Sequence, residues 1–117
     1  MSKALLIIDM LRDFIEEDGA LCIGESKQVV QNISSGLKKW RAQKENQVIY
    51  IMDRHSENDA EFKMFPPHCL ADTWGGEVID AGFRHLTWQT IAIKPYGGLF
   101  FCQIFENNCC MLWYVMV

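Results

Sequence analysis

Three apolar runs, each closed by a charged residue, set the frame of this chain: residues 3–9 (KALLIID), 47–53 (QVIYIMD) and 90–94 (TIAIK). A continuous apolar run of this length predicts a strand buried on both faces of a parallel sheet. In open α/β sheets, ligands bind beyond the carboxyl ends of the strands. Asp9, Asp53 and Lys94 are therefore expected to converge on one crevice. A single strand ending in a charge needs no more than solvent to explain it; three such endings favour the crevice.

Between the first two runs, Val29, Val30, Ile33, Leu37 and Trp40 recur at helical spacing, while Lys38, Lys39, Arg41 and Gln43 fall on other faces. The pattern predicts an amphipathic helix over 26–45, long enough for a right-handed βαβ crossover. The preceding stretch, 11–25, reads as a long connection with turn points at Gly19 and Gly24. Long loops at the carboxyl end of a strand are commonly functional. A weaker helix is expected over 75–86, around Val78, Ile79 and Phe83. The pattern breaks near Pro95, and residues 99–117 (LFFCQIFENNCCMLWYVMV) hold no Lys or Arg and follow neither period. The chain is thus divided into residues 1–100, one α/β domain, and 101–117, an atypical apolar tail.

Composition narrows the picture. A chain of 117 residues is the size of one small domain, and 50% hydrophobic with 22% charged residues is a globular composition. The net charge of −4 and the lack of a basic stripe exclude a nucleic-acid partner held through phosphates. Lys38, Lys39 and Arg41 form the densest basic group, which reads as solubilising. Asp9 interrupts the first apolar run, so no signal peptide is expected, and no run approaches the ~18 apolar residues of a membrane span. Five cysteines, an odd number without a secretion signal, fit reduced thiols in the cytoplasm. The adjacent Cys109 and Cys110 lack the Cys-x2-Cys spacing of a zinc finger.

Residues 52–69 (MDRHSENDAEFKMFPPHC) gather His55 and His68 with Asp53, Glu57, Asp59 and Glu61. An acidic solvated loop would look similar, but two imidazoles with carboxylates are a donor set suited to Zn, Fe or Mn. Pro66 and Pro67 restrict the backbone before His68 and would hold its ring in place. His85, near a helix end and without a partner, reads as structural.

The stretches LLIIDMLRDF (5–14), MDRH (52–55), FPPHCLADTWGGEVID (65–80) and TIAIKPYGGLFF (90–101) resemble the isochorismatase-like cysteine hydrolases. The Asp-x-His and Phe-Pro-Pro-His elements are similar to the nicotinamidase branch. The resemblance, from residue 3 to about 100, implies a three-layer, doubly wound parallel sheet. It implies a catalytic base at Asp9 and a catalytic cation at Lys94. It assigns a divalent metal, zinc with Mn or Fe as alternatives, to Asp53, His55 and His68, with Glu61 at a further ligand position. Phe14 and Phe65 stand where aromatic side chains line the substrate pocket. In the reaction so implied, a Cys thiolate attacks the carbonyl of a small-molecule amide such as nicotinamide. Ammonia leaves, and water hydrolyses the thioester. The metal would orient the ring nitrogen of the substrate or a water. Isochorismate cleavage ranks lower, because vinyl-ether hydrolysis needs no metal cluster.

The resemblance stops before the nucleophile. The family places it at a helix N-terminus after a later strand, in a Gly/Ala-rich segment without counterpart here. Cys102, Cys109 and Cys110 follow Lys94 too closely, and Cys22 and Cys69 lie in loops. The expectation is a hydrolase fold incomplete at its C-terminus, with little or no amide hydrolysis by this chain. The alternative is a non-catalytic form that binds metal, or pairs with a second copy or a full-length subunit through an exposed sheet edge.

Overall fold

The computed structural model describes residues 3–79 and, as a strand, 90–94. Strand β1 (Ala4–Ile8) is followed by a one-turn helix α1 (Arg12–Ile15), a long helix α2 (Ser26–Arg41) and strand β2 (Gln47–Asp53). Two short 3-10 turns, Ala60–Lys63 and Trp74–Gly76, precede strand β3 (Thr90–Lys94). The strands lie in the order β1-β2-β3, and both pairings are parallel. Each apolar run of the sequence forms its strand to within a residue.

The alternation of side chains across the sheet decides what packs where. On one face, Ile7, Val48 and Tyr50 form a core with Ile15, Leu37 and Ile79, onto which Ile33 and Trp40 of α2 close. Ile49 and Ile51 form a separate cluster on the opposite face. Leu6 and Ile8 on β1 remain 37% and 43% exposed. A third cluster, Leu11, Met52 and Cys69, sits beneath the carboxyl ends of the strands and supports the loops there.

Helix α2 is the predicted crossover, but it ends at Arg41 and not at 45. The chain must turn to reach β2, and it does so through Gln43 N–H to Trp40 O and Asn46 N–H to Gln43 O. The Trp40 indole then ties the helix end to Gln47 O at 2.9 Å. At the other end, the Ser26 hydroxyl donates to Ile15 O at 2.9 Å, anchoring α2 on α1. The connection 11–25 is therefore not all loop. Gly19 is required where it stands, since a Cβ there would lie 2.5 Å from Asp13 O and 2.6 Å from Arg12 O.

The expected helix over 75–86 is not formed in its described part. Gly75 and Gly76 close a 3-10 turn, and the chain then runs alongside α1's entry. Leu11 and Val78 form an antiparallel bridge, with Arg12 N–H bonded to Glu77 O and Ile79 N–H to Met10 O. Val78 and Ile79 serve the core as extended residues. Phe83, His85 and the tail 101–117 lie outside the described residues, as do Cys102, Cys109 and Cys110. Among the described residues, no helix is long and apolar enough to cross a membrane.

Candidate metal centre

The parallel register sets the strand ends at one edge. Asp53 pairs with Lys94, and Asp9, just past the Ile8↔Ile51 pair, donates its N–H to Ile51 O at 2.9 Å. Asp9 has a φ of 56°, in the left-handed region that Asp enters more readily than most side chains. The backbone turns sharply there, immediately at the carboxyl edge of β1.

The metal-type residues are brought together by backbone carpentry. His55 N–H donates to Cys69 O at 3.0 Å and Ala71 N–H donates to His55 O at 2.9 Å, a parallel bridge between His55 and Leu70. These two bonds fasten the Asp-x-His segment to the segment after Pro-Pro. The imidazole centroids of His55 and His68 consequently lie 4.8 Å apart, inclined at 62°. Both rings are buried, His55 at 6% and His68 at 2% exposure.

Asp13 reinforces this join from below. Its side chain is buried, with Oδ2 accepting from Cys69 N at 2.7 Å and Oδ1 from Ala20 N at 3.0 Å. Cys69 has a φ of 47°, a conformation that costs a non-glycine residue roughly 1–3 kcal/mol and persists only where its surroundings dictate it. Here the surroundings are Asp13 on its N–H and His55 on its carbonyl. Gly75 leaves room for the carboxylate, since a Cβ at that position would fall 2.1 Å from Asp13 Oδ2.

Each ring has one nitrogen engaged. His68 Nδ1 lies 2.8 Å from Pro66 O, so it donates its proton to that carbonyl. His55 Nδ1 lies 3.0 Å from Asp59 Oδ2. His55 Nε2 is buried and has no hydrogen-bond partner among the described residues, and His68 Nε2 is 3.8 Å from Glu61 Oε1. Ligand atoms of Asp53, His55 and His68 all lie within 4.8 Å of one another, and His55, Asp59 and Glu61 form a second, overlapping group. A buried imidazole nitrogen with its lone pair uncommitted is costly unless something else satisfies it. The donor set therefore fits a divalent ion.

Aromatic rings enclose the pair. Phe62 lies 5.4 Å from His55 and 5.6 Å from His68 between centroids. Phe14 is 5.6 Å from His68, and the half-exposed Phe65 is 6.4 Å from it. Electrostatically the loop is acidic: the Glu61 amide, then the His55 ring, hold the Asp59 carboxyl below its ordinary value.

Of the residues expected from sequence, Asp53, His55, His68, Glu61, Phe14 and Phe65 gather in this one region. Asp9 and Lys94 lie on the adjoining strand ends. Asp13 and Phe62 escaped the sequence reading as parts of the site, and Asp59 stood in the donor-rich stretch without an assigned role. Asp59 had a faint signal in its position four residues after His55. Asp13 had none, because its partner Cys69 is remote in the chain.

The family model for the isochorismatase domain matches residues 3–83. The chain belongs to the isochorismatase family. It is 33% identical over 81 residues to the uncharacterized isochorismatase family protein PncA of Bacillus subtilis (strain 168), covering 67% of this chain and 44% of that protein. The crystal structure of nicotinamidase PncA from Bacillus subtilis superposes with a TM-score of 0.63 at 28% identity, over 80% of this chain and 56% of that one. The crystal structure of pyrazinamidase of Pyrococcus horikoshii in complex with zinc gives 0.63 at 28% identity, over 76% and 50%. This isochorismatase-family chain spans about half the length of the relatives it matches. The fold is that of the isochorismatase-like hydrolases, a parallel sheet with helices.

Proposed function

We propose that the site is that of a nicotinamidase-like amidohydrolase, built to take an aromatic carboxamide to its carboxylate and ammonia. The observation that carries this reading is the pair of buried imidazoles, His55 and His68, set beside Asp53 with His55 Nε2 uncommitted. The names of two structural relatives, a nicotinamidase and a zinc-bound pyrazinamidase, supply the substrate class and zinc as the metal. Asp53, His55 and His68 would hold the ion, with Glu61 as a further ligand, directly or through water. When bound, the ion offers a Lewis-acidic anchor for a ring nitrogen or a water.

The chain's own residues take the remaining roles. Asp9 acts as base toward a thiol and Lys94 stabilises the thiolate. Phe14 and Phe65 flank a planar ring. Among the described residues, no thiol is placed to attack. Cys69 is fully buried against Leu11 and Met52, and Cys22 is exposed on the approach to α2. Neither described cysteine is suited to attack, so we propose that this chain binds metal and amide but turns the amide over only slowly. Losing the nucleophile from such a constellation leaves the modest catalysis of binding and electrostatics.

Two measurements test the reading. His55→Ala and His68→Ala should each abolish zinc uptake while preserving the circular dichroism spectrum; unchanged uptake in both would reduce residues 52–69 to an acidic loop. Ammonia release from nicotinamide with Zn²⁺ or Mn²⁺ should be near background. Robust turnover that vanishes in Cys102→Ala would overturn the slow-turnover proposal and make Cys102 the nucleophile. A second reading, a non-catalytic form that pairs with another copy or a full-length subunit, draws on the exposure of Leu6 and Ile8 on β1. Sedimentation showing a monomer at micromolar concentration, alone and mixed with a full-length family member, would dismiss it.

A further inference from the structure

Asp59 links the His55 ring to the backbone of Glu61. It is the N-cap of the Ala60–Lys63 turn, its backbone extended and its side chain accepting from Glu61 N at 3.0 Å through Oδ1. Its other oxygen, Oδ2, sits 3.0 Å from His55 Nδ1, and the two side chains are only 15% and 7% exposed. One carboxylate thus holds a backbone donor and an imidazole at once. A neutral imidazole carries one proton, and the partner of one nitrogen decides which nitrogen bears it. A carboxylate can only accept, so it draws the proton to Nδ1 and leaves Nε2 as the lone-pair donor. His55 Nε2 is the buried nitrogen without a hydrogen bond among the described residues, which is the outcome this arrangement produces.

Resting on the metal reading above, we propose that Asp59 is a positioning residue: it fixes the His55 tautomer that presents Nε2 to the ion, and through its cap on the next turn it sets Glu61 beside His68. Groups that orient a metal-bound histidine typically change metal affinity by about 10–100-fold when lost. The competing account is that Asp59 merely caps a short turn. Two substitutions separate them. Asp59→Ser keeps an N-cap oxygen but is too short to reach His55 Nδ1. Asp59→Asn keeps the size and a capping oxygen, yet its amide can donate to Nδ1 and hold the proton on Nε2, the wrong tautomer for a ligand.

The experiment pairs nitrogen-resolved NMR of the imidazoles in metal-free protein with zinc titration against a chelating indicator. The wild type should show the His55 proton on Nδ1 and bind one zinc ion per chain. Both variants should move the His55 signal toward Nε2–H and weaken zinc binding about 10–100-fold, with melting of the metal-free protein little changed. Zinc affinity within twofold of wild type in either variant would overturn the proposal. So would a wild-type proton on Nε2, or a second zinc ion whose binding is lost in Asp59→Asn. A wild type that binds no zinc, but shows the tautomer and its loss in the variants, would sink the metal reading and leave the hold of Asp59 on His55 standing.

Discussion

Replacing Asp13 by Ala should destabilise this protein more than an ordinary substitution of an acidic side chain. The carboxylate accepts from two backbone amides, Cys69 N at 2.7 Å and Ala20 N at 3.0 Å. Leaving a buried donor without a partner costs about 1–3 kcal/mol. Cys69 is fully buried, so its amide falls at the upper end. Ala20 is exposed, and water can replace its lost partner at little cost. Relaxation of the left-handed Cys69 returns part of the loss, which places the net at about 1–3 kcal/mol by these magnitudes. With a urea slope of about 2 kcal/mol/M, the midpoint should fall by roughly 0.5–1.5 M.

Gly75→Ala offers an internal control on that reasoning. Its new Cβ would overlap Asp13 Oδ2 and Cγ, at 2.1 and 2.3 Å, and must push the carboxylate off its donors. In an Asp13→Ala background that overlap is gone. The two substitutions should therefore be strongly non-additive, with Gly75→Ala costing far less in the double variant than alone. Urea denaturation of the four metal-free proteins measures the cycle. A loss below ~0.5 kcal/mol for Asp13→Ala, the scale of a surface change, would refute the account, as would additive costs.

Further expectations bear on the core and on pH. Leu37, 1% exposed where α2 meets the sheet, should cost about 2–5 kcal/mol when truncated to Ala, while zinc affinity, set at the strand edge, stays unchanged; denaturation and titration check the two halves. Burial raises the Tyr50 phenol above its ordinary value, against the opposing charge and hydrogen bond of Arg41. The fold therefore favours the neutral phenol. Its contribution is whole below the ordinary value of about 10 and is lost as pH rises through the raised one. Melting temperatures should fall more steeply at alkaline pH in the wild type than in Tyr50→Phe, and equal slopes would count against this assignment.

The sheet was legible because buried parallel strands announce themselves. Ile7, Val48 and Tyr50 face α2 while Ile49 and Ile51 face away, so the runs had to be apolar throughout. Their charged ends marked the edge where Asp53 pairs with Lys94. The metal-type residues were legible from spacing, since Asp-x-His and Pro-Pro-His constrain their own geometry. Residues 75–79 misled because Val78 and Ile79 serve a bridge to Leu11 and a bond to Met10, and a short apolar pair reads alike in either period. Asp13 was invisible for a different reason. Its role depends on Cys69, far along the chain, and on the space left by Gly75, and no local pattern encodes either.

The two backbone bonds between His55 and the Cys69–Ala71 segment also bear on the thermodynamic character of the proposed metal binding. In a zinc finger the chain is unordered without the ion, and the energy of ligation is largely the energy of folding. Here the segments that carry both imidazoles are joined by backbone hydrogen bonds that use no ligand atom. On the proposed metal reading, an ion would act as a ligand of a finished protein, adding only what mass action allows, about 2.7 kcal/mol at a hundredfold excess over Kd. Stripping such an ion with a chelator should then leave an ordered apoprotein, ready to reload or to accept a different ion of similar chemistry.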